Sequence, residues 1–243
     1  MAECILVGNN GGEGVSYNPL NVDFASPIIS NHGYGIEGID EIYTASATNY
    51  ILVFNNECMG QAQSTKYTSA NITTTGTIIW TDTLSSDYSN AGTRDVTTTI
   101  SLIRVELGDT VSLFNAHSNN MMTQTHLIFP VTAIGDGELI DISHAMVWDR
   151  NTTTETLGSF SHINIPNLVI KYIVCIQQSN PNNSGTSSVE ITGVTSSNIY
   201  VSESNYDTLI IGEYSMDSND TVNFVFSGVQ QYVSKNYYVW LLK

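Results

Sequence analysis

The chain has 243 residues, of which 41% are hydrophobic, so it has enough apolar side chains for a packed core and is not expected to be disordered. Its 23 acidic and 7 basic residues give a net charge of −16, and Arg94, Arg104 and Arg150 are scattered. This distribution argues against nucleic acid and anionic membranes as partners.

The N-terminal sequence MAECILVGNNGG lacks the basic segment of a signal peptide. No apolar run reaches the roughly 18 residues that a membrane span needs. We therefore expect neither export by the general secretory route nor membrane insertion.

Apolar residues alternate with polar ones, or form short runs, between clusters of Gly, Asn, Ser and Asp. This pattern is typical of strands and turns, and no long segment has helical spacing. The sequence therefore predicts an all-β fold. The predicted strands are 4–7, 50–55, 72–81, 97–107, 110–116, 125–132, 168–177, 189–192, 198–203, 208–214, 221–227 and 237–242.

Residues 1–45 contain seven glycines and two prolines, which leave few side chains for an independent core. We predict an N-terminal attachment arm over 1–45. The alternative is that this segment folds back and completes the first β-unit. Gly8, Gly11 and Gly14 imitate a dinucleotide-binding turn, but the next residues, VSYNPLNVDFASP, do not suit the helix that such a site requires.

Four segments of the first half resemble four segments of the second half, in the same order. These matches predict two copies of one β-unit, each of the size of a jelly-roll-like or Ig-like sandwich. The predicted domains are a first β-sandwich over 46–132, a connector with extra strands over 133–167 and a second β-sandwich over 168–243. A single larger sandwich is the alternative. The matched pairs are YILVFNNE (50–57) with YIVCIQQS (172–179), ITTTGTIIW (72–80) with ITGVTSSNIY (191–200), SLIRVELGDTVSLF (101–114) with TLIIGEYSMDSNDTVNFVF (208–226), and THLIFPV (125–131) with YYVWLL (237–242).

A tight turn is predicted at the same place in each unit, at GDT (108–110) and at NDT (219–221). Gly108 and Asn219 tolerate the left-handed conformation that such a hairpin needs. The carboxylates of Asp109 and Asp220 are suited to accept backbone N–H bonds, so we interpret them as turn residues.

No motif in the chain indicates catalysis or a resident cofactor. Three cysteines (Cys4, Cys58 and Cys175) form no CxxC pair, and there is no GxSxG elbow or Walker loop. The five histidines show neither HxH nor HExxH spacing, and His126 reads as a buried sheet residue. We predict no catalytic, cofactor-binding or metal site, and a protein that is not an enzyme. The histidines are His32, His117, His126, His144 and His162.

Two weaker patterns concern ligands. Acidic loops offer oxygen atoms to Ca²⁺, but solvated turns are the default interpretation. These loops contain Asp136, Glu138 and Asp141, and then Asp217, Asn219 and Asp220. Aromatic residues in polar loops are candidates for ligand contact, whereas Trp80 and Trp240 lie in apolar strands and read as core. The loop aromatics are Tyr67, Tyr88, Tyr206 and Tyr232.

The N-terminal MAECILVGNNGG and the LGDTVSLF hairpin within Asn/Thr/Ser-rich β-units resemble bacteriophage virion accessory proteins of the tail, baseplate, head-fibre or decoration type. The resemblance implies a structural component of the virion, made in the host cytoplasm and docked on other virion proteins through its N-terminal arm. It also implies a contact with the host surface, including its glycans. Strands such as TIIW and YYVWLL have few charges to prevent pairing at a sheet edge, so we expect a homo-oligomer or permanent docking on a larger assembly. A carbohydrate-binding module is the first alternative, and a glycan hydrolase on a β-scaffold is the second.

Overall fold

In the computed structural model, the described residues are 21–34, 41–59, 68–87, 94–115, 122–133, 139–147, 154–157, 169–179, 188–192, 195–203, 207–217, 222–227 and 234–242. All regular secondary structure in these ranges is β-strand, as the sequence predicts. The first nine strands are β1 (Asn21–Val22), β2 (Ile29–Tyr34), β3 (Glu41–Thr44), β4 (Asn49–Met59), β5 (Asn71–Thr74), β6 (Thr77–Asp87), β7 (Arg94–Val105), β8 (Thr110–Phe114) and β9 (Met122–Ala133). The remaining eight are β10 (Leu139–Val147), β11 (Thr154–Leu157), β12 (Val169–Ser179), β13 (Ser188–Thr192), β14 (Thr195–Glu203), β15 (Asp207–Asp217), β16 (Val222–Ser227) and β17 (Ser234–Leu242).

One predicted strand is divided in the structure. Residues 72–81 form parts of β5 and β6, which belong to different sheets and are separated by Thr75 and Gly76. A Cβ at Gly76 would lie 2.7 Å from the carbonyl oxygen of Arg104, so glycine permits the close passage of the chain from one sheet to the other. The predicted strand 4–7 lies outside the described residues.

The strands form four antiparallel sheets. Sheet A has the order β1-β9-β4-β7-β6, with β2 also pairing with β9, and sheet B has the order β3-β8-β5. Sheet C has the order β10-β17-β12-β15-β14, and sheet D has the order β11-β16-β13.

Strand β4 of sheet A is covered on both faces. Ile51 and Val53 of β4 pack with Val111 and Leu113 of sheet B, while Leu52 packs on the opposite side in a core that includes residues of sheet C. This double burial explains why the sequence ILVF at 51–54 is a solid apolar run and does not alternate.

The contact between sheets A and C combines apolar packing with specific polar bonds. The ring of Tyr200 in β14 meets that of Phe129 edge-on at 5.9 Å, and its hydroxyl lies 2.7 Å from Ser30 Oγ. The amide of Asn198 donates to the carbonyl of Val22 and accepts the N–H of Ala25 at 3.0 Å. At the other edge of the two sheets, β10 contacts β6.

The second half of the predicted N-terminal arm is integral to the sheets. Strands β1 and β2 pair with β9, and β3 pairs with β8. Val22 and Phe24 are fully buried, so their burial stabilises the fold by about 1.5–3 kcal/mol each. Residues 21–34 and 41–45 are therefore part of the sheets and do not extend away from them. This corrects the predicted attachment arm, which included these residues within 1–45. The segment 1–20 lies outside the described residues.

Two strands fall within the predicted connector, 133–167. Strand β10 pairs with β17 at the edge of sheet C, and β11 pairs with β16 at the edge of sheet D. This segment thus contributes one strand to each sheet of the second half.

Sheets A and B have the same strand order as sheets C and D. Adding eight to each number in β2-β9-β4-β7-β6 gives the order of sheet C, and adding eight to β3-β8-β5 gives the order of sheet D. The four pairs of similar sequence segments thus occupy corresponding strands.

The pairing register also corresponds. A bulge separates Ile78 from Trp80 in β6, and another separates Ser196 from Asn198 in β14. Next to the bulge in sheet A, the residues that pair in turn across the sheet are Trp80, Leu102, Leu52 and Phe129. Next to the bulge in sheet C, they are Asn198, Glu213, Ile173 and Trp240. Corresponding residues of β7 and β15 are therefore 111 positions apart in the sequence (102 and 213), and so are those of β9 and β17 (129 and 240).

Candidate functional site: a hydroxyl-lined groove

Half of sheet A has a polar interior. Strand β4 changes from ILVF to NNE at residue 55, and the strands beside it change with it. Asn55 pairs with Thr99 and His126, and Glu57 pairs with Thr97 and Gln124. All of these side chains are buried, so hydrogen bonds and not apolar contacts must stabilise this end of the sheet.

Glu57 is the charged centre of this polar region. One carboxylate oxygen accepts the backbone N–H of Ser69 at 2.5 Å, and the other accepts the Gln124 amide at 3.1 Å. Nearby, the amide of Asn55 donates to the carbonyl of Asn71 at 2.8 Å. These bonds offset the cost of removing a carboxylate from water and hold the 68–71 segment against sheet A.

Beside this segment lies a half-open groove of about 380 Å³. Sheet B has three strands and ends at β5, so among the described residues no further strand of that sheet lies over β6 and β7. The floor carries Thr81, Thr83 and Ser85 of β6 and Thr97, Thr99 and Ser101 of β7, while the wall and ends are Thr68, Ser69, Ala70, Asn71, Ile72 and Ile78.

The floor hydroxyls form cross-strand pairs. Thr81 and Ser101 lie 2.7 Å apart, and Thr83 and Thr99 lie 3.0 Å apart, each pair directly opposite in the β6–β7 register. Such pairs stabilise a sheet by a few tenths of a kcal/mol to about 1 kcal/mol each. Thr97 hydrogen-bonds to the hydroxyl of Thr68 at 2.8 Å, which joins the floor to the wall.

The groove is equipped for binding and not for acid–base chemistry. The described lining residues supply hydroxyl, amide, backbone and aliphatic groups, and none of them is a His, Cys, Lys, Asp or Glu. A serine or threonine nucleophile needs an adjacent base, which these lining residues do not supply.

The corresponding surface of sheet C is aliphatic at two of the three pairs. In the matched register Thr81/Ser101 corresponds to Ile199/Gly212 and Thr83/Thr99 to Val201/Ile210, whereas Ser85/Thr97 corresponds to Glu203/Thr208. The two hydrogen-bonded hydroxyl pairs of the floor therefore have no counterpart at the matched positions of sheet C.

The candidate residues named from the sequence are spread over the molecule. His126 is buried in β9, and Trp80 packs against the core shared by sheets A and C, both as the sequence predicts. Gly108 has φ +91°, and Asp109 accepts the backbone N–H of Glu106 at 2.8 Å, which confirms the predicted turn.

Other candidates are placed by their backbone only. Asp141 and His144 lie in β10, Asp217 ends β15, and Trp240 lies in β17. Cys58 lies in β4 and Cys175 in β12. Outside the described residues lie Cys4, Tyr67, Tyr88, His117, Asp136, Glu138, His162, Tyr206, Asn219, Asp220 and Tyr232. In the part of the chain that the structure describes, no three His, Cys, Asp or Glu side chains form a metal-binding group, and no helix is long and apolar enough to cross a membrane.

Sequence reasoning did not identify the groove. The signal was present as the alternating hydroxyls of TDTLS at 81–85 and TTTIS at 97–101. Alternation places those side chains on one face of each strand, but pairing of the two strands is required to bring them together.

Comparisons of this chain with protein-family models, with curated proteins and with solved structures find no match.

Proposed function

We propose that this protein is a non-enzymatic structural component of a bacteriophage virion, built from two tandem β-sandwiches of jelly-roll type. The observation that carries the proposal is the repeated strand order and register of sheets A and B in sheets C and D. Strand β2 pairs with β9 and β3 with β8, and in the second half β10 pairs with β17 and β11 with β16. This pairing supports the Greek-key wrapping of a jelly roll. Jelly rolls are the building blocks of many viral capsid proteins, and also of lectins.

The packing of sheet A on sheet C supports an assembly role. Strand β14 lies against β1, β2 and β9, and β10 lies against β6. Since β14 corresponds to β6 and β10 to β2, the two halves meet through equivalent surfaces, as subunits do across a two-fold axis.

Uncovered edges provide further surfaces for assembly. Strands β6 and β14 end their sheets and carry exposed apolar side chains, among them Ile79, which is 50% exposed, and Val201, which is 44% exposed. Edges of this kind pair readily with another chain unless they are covered. We therefore propose that the protein forms a homo-oligomer or docks on other virion proteins.

The segment 1–20 is the proposed attachment element. It contains the apolar run CILV between polar and glycine-rich residues. A strand of this composition can add to the exposed sheet edge of a neighbouring virion protein, where main-chain hydrogen bonds supply affinity.

Mass spectrometry of density-gradient-purified phage particles tests the proposal directly. Peptides of this chain should co-purify with the particles in a constant ratio to the capsid protein, and antibodies against it should label the particles by immunogold. Recovery of the chain only in the soluble fraction, with unlabelled particles, would overturn the structural role.

A further inference from the structure

We infer that the hydroxyl-lined groove beside β6 and β7 is a binding site for a neutral carbohydrate. This goes beyond the proposed function, because a structural role in a particle requires no sugar ligand. The inference depends on where the hydroxyl protons of the groove point, on its charge and on its shape.

Two floor hydroxyls have their protons bonded within the protein. Thr99 donates to the carbonyl of Ala70 at 2.6 Å, so the proton in its 3.0 Å contact with Thr83 comes from Thr83. Thr81 lies 2.7 Å from the hydroxyl of Ser101 and 3.3 Å from the carbonyl of Ile100, so this pair also has a hydroxyl–hydroxyl bond, in which either oxygen can be the donor. A hydroxyl has one donor and two acceptor positions, so the free capacity of the Thr83 and Thr99 oxygens is acceptor capacity.

A ligand that bonds to Thr83 and Thr99 must therefore bring hydrogen-bond donors. The hydroxyl groups of a sugar are such donors. The two cross-strand pairs repeat every second residue along the strands, at about 6.6 Å, so one ligand of the size of one or two sugar rings contacts both pairs.

Charge disfavours anionic ligands. Among the described residues that line the groove none has a charged side chain, and Glu57 lies behind the wall, bonded to Ser69. The whole chain carries a net charge of −16. A uronic acid or a phosphate would meet no cationic side chain among these lining residues.

The ends of the groove suit the apolar face of a sugar. Ile72 and Ile78 line it, and Ile78 is exposed to solvent. The C–H groups of a pyranose ring can cover this aliphatic surface while its hydroxyls reach the floor. A volume of about 380 Å³ lies at the lower end of the range for small-molecule sites.

An extended peptide fits this place less well. Strand addition would use the outward backbone groups of the 68–72 segment. The carbonyls of Thr68 and Ala70 already accept the hydroxyls of Thr97 and Thr99. Floor side chains thus occupy one of the two acceptor positions of each carbonyl that a guest strand would use.

Saturation-transfer NMR and calorimetry on the full chain test the inference. The probes are neutral oligomers of glucose, galactose, mannose and N-acetylglucosamine, with oligogalacturonate as the acidic comparison. We expect at least one neutral oligomer to bind with a millimolar or stronger Kd and the acidic one not to bind. Thr83→Val removes one floor acceptor from an exposed strand position and should weaken that binding by about fivefold, the loss expected for one hydrogen bond.

Thr73→Val is the matched control. It makes the same chemical change on β5, at an exposed position that is not part of the groove lining. The affinity of this variant for the neutral oligomer should equal that of the unchanged protein. The inference is overturned if no neutral oligomer binds at about 10 mM, if Thr83→Val and Thr73→Val behave alike, or if a Ser/Thr/Asn-rich peptide binds at the groove in place of the sugar. None of these results affects the test by particle composition.

Discussion

The carboxylate of Asp109 accepts the backbone N–H of Glu106 at 2.8 Å across the turn between β7 and β8. Its second oxygen accepts the hydroxyl of Thr75 at 2.9 Å, and that hydroxyl oxygen in turn accepts the N–H of Thr110. One carboxylate therefore links the β7–β8 turn to the crossing from β5 to β6, and so joins the ends of sheets A and B.

Asp109→Ala should lower the free energy of unfolding by about 1–2 kcal/mol, because two hydrogen bonds to a charged acceptor are lost at a solvent-exposed site. Urea denaturation followed by tryptophan fluorescence measures the change. Glu106→Gln is the control, since it retains the backbone N–H and should change stability by less than about 0.5 kcal/mol. Equal effects of the two substitutions would show that the turn does not depend on this carboxylate.

Phe54→Ala should cost about 3–5 kcal/mol, because Phe54 is fully buried in the core that sheet A shares with sheet C and the truncation leaves a cavity. Ile42→Ala, at a side chain that is 64% exposed, should cost less than about 0.5 kcal/mol. Thermal and urea unfolding report both values. A small cost at Phe54 would contradict the close packing of the two sheets.

Asn198→Ala tests the polar contact between the two halves of the chain. The Asn198 amide bonds to both Val22 and Ala25, so its removal leaves two backbone groups without that partner and should cost about 1–3 kcal/mol. The Ala25 N–H also donates to Asp23 Oδ1 at 3.1 Å, so hydrogen exchange at that amide should become faster only by a small factor. The neighbouring Ile199→Ala, on the exposed side of β14, should leave that exchange rate unchanged.

Two truncations separate an attachment role from a folding role. Removal of residues 1–20 should leave the far-UV circular dichroism and the melting temperature nearly unchanged while abolishing incorporation into particles. Removal of residues 1–45 also deletes Val22 and Phe24 and should destabilise the protein by at least about 3–6 kcal/mol. Loss of folding in the shorter truncation, or incorporation without residues 1–20, would argue against the proposed arm.

The sequence by itself determined the β-class and most strand positions, because these depend on local alternation and on turn residues. Gly108 and Asp109 are an example: a left-handed glycine and a carboxylate that accepts a nearby N–H act within four residues of chain. The order of the echoed segments could also be read without a structure, because it is a property of the sequence.

The tertiary structure decided what depends on partners remote in the chain. Phe24 belongs to the core only because β9 and sheet C close around it, although it lies in a glycine-rich segment that the sequence assigns to an arm. Thr83 and Thr99 are sixteen residues apart and form one groove floor only because β6 and β7 pair in that register and sheet B stops short of covering them. The local sequence pattern specifies which face of a strand a side chain lies on. The pairing of strands and the number of strands in each sheet decide which side chains meet, and the local pattern contains no information about them.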